Sequence, residues 1–191
     1  MLADSEPIHF NCWRQVLTEF SVNLDWDTYH RLFIGVSDRE MVELVVRMAG
    51  GRISAADVYA RYPHKKALFR EAVAAHPPVA PGVRELLASL TGYRLGVVSS
   101  SGRLEVEPIL AATGLLPHLA VTICGEDVAR HKPDPLPYRT AAERLGVSSA
   151  LVVEDSDAGV ASGRAAGFDV LRIPHPSETV SLVRRLLDSP E

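Results

Sequence analysis

Three short stretches carry residue types that could do chemistry together: "VVSSSG" at 97–102, "RHKPDPLPY" at 130–138 and "LVVEDSDAG" at 151–159. In the first, Ser99, Ser100 and Ser101 precede Gly102. Hydroxyls and backbone N–H groups at a strand-to-helix turn can hold a phosphate or another oxyanion; a plain N-cap with solvent-facing serines is the alternative. In the second, Lys132 stands before Pro133 and Pro135, whose fixed φ angles hold the cation in one place. Asp134 is the expected N-cap and Pro135 the first helical residue; an ordinary solvated lysine is the competing reading. In the third, Glu154 and Asp155 are adjacent at the end of an apolar run. Two neighbouring carboxylates repel unless a cation lies between them, and ligation of Mg²⁺ would supply one. An acidic helix N-terminus stabilised by the helix dipole is the alternative, with Asp157 as a cap rather than a ligand. A hydroxyl that binds anions, a fixed cation and a metal-binding acid pair together suit a phosphate ester. A nucleophile is missing from the set.

The elements around these stretches would bring them to one edge. After residue 80 helices alternate with short apolar strands: helix 81–91, strand "RLGVVSS", helix 104–113, strand "AVTIC", helix 135–145, strand "ALVVE", helix 157–166, strand "DVLRI" and a last helix near 178–188. Strands of this kind, expected to be buried on both faces, predict an α/β fold with a Rossmann-like, doubly wound parallel sheet. Chemistry then belongs at the carboxyl ends of the strands, where all three stretches fall.

Residues 8–76 read differently. Trp13, Val16, Leu17 and Phe20 follow helical spacing. A second helix is expected over 26–33, and a third from Ser37, where "SDRE" has the form of a capping box. One further helical stretch, "AADVYARYPHKKALFREAVAA", is strained by Pro63, and "HPPVAPG" closes the region as a junction. The expected organisation is an all-helical insertion at 8–78 in a core made of 1–7 and 79–191.

Composition limits the function. The chain has 191 residues, 47% hydrophobic and 23% charged, with a net charge of -4, enough for a core and one smaller insertion. Its charges are dispersed, so nothing predicts nucleic-acid binding. The longest apolar runs are about five residues against the roughly 20 of a membrane span, and residues 1–10 carry no basic signal-peptide region. The expectation is a cytoplasmic protein, monomer or homodimer, with no membrane or nucleic-acid partner. Cys12 and Cys124 match no metal or redox spacing and are expected as reduced, buried thiols. Only three of the twenty basic residues are lysines, which directs attention to each of them.

The three stretches, in this order, resemble the second, third and fourth motifs of the haloacid dehalogenase superfamily of phosphatases and phosphomutases, in the branch with a helical cap between the first and second motifs. The matches are "LGVVSSS" at Ser99, "KPDP" at Lys132 and "VVEDSDAG" at Glu154 and Asp155. The resemblance implies that Ser99, Ser100 and Lys132 bind and stabilise the phosphoryl group, with Ser99 and Lys132 as catalytic residues, and that Glu154 and Asp155 hold Mg²⁺. "MLADSEP" resembles the end of the family's first motif, so the nucleophilic aspartate and the acid/base aspartate would precede Met1. The chain as written carries neither, which implies either a shortened sequence or a noncatalytic form. His9 matches a histidine that follows the first motif in phosphatases and β-phosphoglucomutase-like members. "GVSDRE" resembles the cap's specificity stretch, with Asp38 where mutases tend to carry a basic residue and Arg39 one position later. Arg39 and the Lys65-Lys66 pair are candidates for a second anion, or else solvated helix surface. The function implied is an Mg²⁺-dependent phosphatase of a small phosphorylated metabolite, such as a sugar phosphate. The alternatives are a phosphomutase and a noncatalytic protein that binds a phosphorylated metabolite.

Overall fold

A computed structural model describes residues 2–34 and 38–188, with the side chains of Asp38 and Arg39 outside the described set. The chain divides into two compact units, Ser5–His76 and the rest, Met1–Asp4 with Pro77–Glu191.

The Ser5–His76 unit is all helical: α1 (Glu6–Thr18), α2 (Trp26–Leu32), α3 (Asp38–Met48), α4 (Ala55–Tyr59) and α5 (Tyr62–Ala75). Phe10, Trp13, Val16 and Leu17 form the buried stripe of α1 and pack with Tyr29, Phe33, Val42, Val45 and Val58. The single helical stretch expected after residue 54 is two helices. Ser54 and Asp57 close a capping box on α4, and Pro63 lies in the first turn of α5, where its missing N–H breaks no bond. Pro63 therefore starts a helix rather than straining one. Ser37, the expected start of α3, lies outside the described residues.

The second unit contains α6 (Val83–Ser89), β1 (Gly96–Val98), α7 (Arg103–Ala112), β2 (Val121–Ile123), α8 (Leu136–Leu145), β3 (Leu151–Glu154), α9 (Asp157–Ala166), β4 (Asp169–Arg172) and α10 (Thr179–Leu187). The N-terminal residues join it through an antiparallel bridge between Ala3 and Val79 and a 2.8 Å bond from Asp4 N–H to the Pro78 carbonyl. The strands are parallel and form two ladders, β1 with β2 and β3 with β4. Val98 faces Ile123 in the first and Glu154 faces Arg172 in the second, so the registers align their carboxyl ends. The strands are less buried than expected. Val97, Val98 and Val153 are half-buried and Leu151 is exposed, because each described strand has a ladder partner on one side only.

Helix caps also refine the reading. Ser156, not Asp157, caps α9 by accepting a 3.0 Å bond from Gly159 N–H. Asp157 pairs instead with Arg172 at 2.7 Å. Pro135 is the N-cap residue of α8, while Asp134 accepts from Leu136 N–H at 2.9 Å. Both cysteines are free and buried.

Candidate functional site

The α/β unit brings Ser99, Lys132 and Glu154 to the carboxyl ends of its strands. Ser99 follows β1 directly; its N–H donates to the Ile123 carbonyl at 2.9 Å, and its Oγ accepts from Ser101 N–H at 3.1 Å. That acceptor role leaves the Ser99 O–H proton available to donate. Ser100 is exposed. Its backbone carbonyl lies 2.7 Å from where a Cβ on Gly125 would be, so the loop after β2 approaches the serine turn only because residue 125 is glycine. Glu126 crosses to the same turn and accepts from Arg103 N–H at 2.9 and 3.1 Å, capping α7 from outside. An anion bound at this turn would therefore meet Ser99 and Ser100 with the first N–H of α7 already occupied.

Lys132 joins the two ladders. Its ammonium donates to the Val98 carbonyl at 3.1 Å, at the end of β1, and to Glu154 Oε1, at the end of β3. The side chains of Lys132 and Glu154 are 9% and 7% exposed, which makes this a buried ion pair. The Lys132–Pro133 peptide bond is cis. Glu154 accepts five hydrogen bonds: Lys132 and the Tyr138 hydroxyl on Oε1, and the N–H groups of Asp155 and Ser156 with the Ser156 hydroxyl on Oε2. Burial works to raise the Glu154 carboxyl, but the Lys132 ammonium and the Tyr138 and Ser156 hydrogen bonds outweigh it and hold the group at about 2. The same carboxylate, together with burial as the larger cause, pushes the Tyr138 phenol far above its ordinary value.

Two residues of this arrangement escaped the sequence reading. Tyr138, six positions after Lys132, has its hydroxyl 2.8 Å from Glu154 Oε1 and its ring centroid 4.9 Å from the Lys132 ammonium. Gly159 is the other, since a Cβ there would run into the Glu154 carboxylate. The motif "EDSDAG" thus ends in glycine so that the glutamate can fold back against α9. The fixed position of these two in "KPDPLPY" and "EDSDAG" was the available signal.

Lys132 brings positive charge to Glu154, one of the two adjacent acids. Among the described residues no group of three His, Cys, Asp or Glu side chains is gathered that could hold a metal ion. The donor chemistry fits Mg²⁺ only as a partial site: Mg²⁺ is commonly held by one or two carboxylates, completed by water and substrate phosphate oxygens. Asp155, half-buried just after β3, is a carboxylate that could contribute to such a site.

The helical unit holds the remaining candidates. Lys65, expected on a solvated surface or against a second anion, is buried at 4% exposure. Its ammonium lies 2.8 Å from His9 Nδ1 and 5.6 and 5.3 Å from the ring centroids of Trp13 and Phe69. His9 stacks on Phe69 at 4.3 Å. A lysine ammonium only donates, so Nδ1 accepts and the imidazole proton is on Nε2. The Arg39 side chain lies outside the described residues. A separate open concavity of about 480 Å³ between α1 and α5, lined by Ile8, Asn11, Cys12, Glu71 and His76 among others, includes none of the expected site residues.

The family model described as haloacid dehalogenase-like hydrolase matches residues 1–173. The chain is 38% identical over 144 residues to a plasmid-borne phosphoglycolate phosphatase of Cupriavidus necator, covering 72% of this chain and 61% of that protein. It is 30% identical over 174 residues to a phosphorylated carbohydrates phosphatase of Thermotoga maritima, covering 88% and 78%. The structure of CbbY from Rhodobacter sphaeroides in complex with phosphate superimposes with a TM-score of 0.75 at 25% identity, over 92% of this chain and 82% of that one. The matched region spans 46% and 61% of the length of two curated relatives and 81% of a third. No described helix is long and apolar enough to cross a membrane.

Proposed function

The chain belongs to the haloacid dehalogenase-like hydrolases, and from that premise we propose that it serves hydrolysis of a small metabolite's phosphate monoester, releasing alcohol and inorganic phosphate. The observation that carries this is the Lys132 ammonium, fixed between the Val98 carbonyl at 3.1 Å and Glu154, beside Ser99. An ammonium has three N–H donors, and these two contacts use two of them. The third is available to a phosphoryl oxygen, and the Ser99 hydroxyl offers a second donor. Phosphoryl transfer needs positioning and charge stabilisation above all, and a buried cation in a medium of low polarity supplies both.

Asp155 would hold Mg²⁺, with Glu154 entering its ligand shell only by exchanging Lys132 for the ion. When bound, the metal supplies further positive charge to the phosphoryl oxygens. The names of the relatives, phosphoglycolate and phosphorylated-carbohydrate phosphatases, support a small phosphorylated metabolite as substrate.

The test is release of inorganic phosphate from a panel of phosphorylated metabolites at saturating Mg²⁺, with Lys132→Met as control. Release by the wild type and its loss in the variant support the reading. Esters that bind without release would put the noncatalytic binding protein first, and formation of an isomeric ester without net release would put the phosphomutase first.

A further inference from the structure

Tyr138 touches both members of the Lys132–Glu154 ion pair. Its hydroxyl donates to Glu154 Oε1 at 2.8 Å, the same oxygen that receives Lys132, while its ring faces the ammonium at 4.9 Å from the centroid. The other oxygen of Glu154 is fixed by Asp155 N–H at 2.9 Å and by Ser156 N–H and Oγ, both at 3.1 Å. The carboxylate therefore cannot turn to adjust its demand on Lys132. The split of charge at Oε1 between hydroxyl and ammonium decides how firmly the lysine is drawn toward glutamate.

We infer that Tyr138 is a positioning residue for phosphate binding: by sharing Glu154 Oε1 it frees part of the Lys132 charge for an incoming phosphoryl group. The inference rests on the proposed role of Lys132. Removing the hydroxyl leaves Oε1 to the ammonium alone, which pulls the lysine toward the carboxylate and away from an anion. The ring keeps its cation-facing contact in a phenylalanine variant, so the hydroxyl can be tested by itself.

The experiment is a calorimetric titration of the 191-residue chain with inorganic phosphate in four forms: wild type, Tyr138→Phe, Lys132→Met and the double variant, each checked for folding by its thermal midpoint. The expected result is a loss of affinity of about fivefold to tenfold in Tyr138→Phe, the scale of one ordinary net hydrogen bond, with no further loss when the same change is made in Lys132→Met. A purely structural tyrosine would weaken residual binding equally in both backgrounds, or change the midpoint and leave affinity untouched; either result overturns the inference. Phosphate binding by Lys132→Met equal to the wild type would overturn the assigned role of the lysine itself, and the inference would fall with it.

Discussion

Two of the chain's three lysines have nearly covered side chains, one in each unit, and they meet different partners. Lys132 meets a carboxylate, a carbonyl and one aromatic face. Lys65 meets an imidazole nitrogen and the faces of Trp13 and Phe69. The first arrangement sets charge against charge, so removing either member strands the other in a poorly solvating place. The second places the ammonium on an imidazole nitrogen and against two ring faces, and so fixes the tautomer of His9. Burial alone therefore says little about what a lysine does; the partner decides.

The largest expected effect comes from breaking the charged pair. Lys132→Met should lower unfolding free energy by about 3–5 kcal/mol, the usual cost of stranding a buried charge, as measured by urea denaturation. A loss no greater than that of Lys65→Met would erase the distinction between the two sites.

Removing the charge from the other side sharpens the same point through pH. The Glu154 carboxyl is held down at about 2 against an ordinary value of 4.5, so its contribution to stability is complete above pH 4.5 and is lost as pH falls toward 2. Glu154→Gln lacks that contribution, and its unfolding free energy should change less than the wild type's over this interval. Parallel curves for the two proteins would contradict the assigned pairing.

Crowding the carboxylate without touching its charge should cost less. Gly159→Ala places a methyl group where Glu154 lies, with an expected loss of about 1–3 kcal/mol from overpacking. A neutral result in thermal unfolding would mean that the glutamate has room to move. Lys65→Met should have the smallest effect, about 1 kcal/mol, the scale of the hydrogen bond to His9 that it removes.

Much of the α/β unit was legible in the sequence because its strands and helices alternate with clear punctuation. "LVVE" before a serine cap, and "GVV" before the serine turn, predict strands that the structure contains. Less legible was how the strands are covered: Leu151 reads as core but is exposed, since local periodicity carries no information about which strand edges have partners. In the helical unit Pro63 misled, because a proline looks the same inside a helix and at its first turn until the cap at Ser54 is recognised.

The site was legible by residue type and obscure by partner. Adjacent acids at 154 and 155 pointed to positive charge nearby, yet nothing in the linear order of residues shows that Lys132, 22 positions away, would meet Glu154. Tyr138 was hidden for the same reason, as a helical aromatic reads as core until its hydroxyl is seen on Glu154. Lys65 was the converse case: beside Lys66 and Arg70 it reads as solvated surface, and only the packing of α5 against α1 turns it inward.

The most direct test uses the scarcity of lysine. With ammonium and Cε resonances from only three residues to assign, isotope-labelled lysine would let NMR follow each during a titration with inorganic phosphate. The Lys132 signals are expected to move with saturating phosphate while those of Lys65, held by His9, stay in place. Phosphate that binds and leaves Lys132 unmoved would contradict the claim that this buried lysine grips the phosphoryl group.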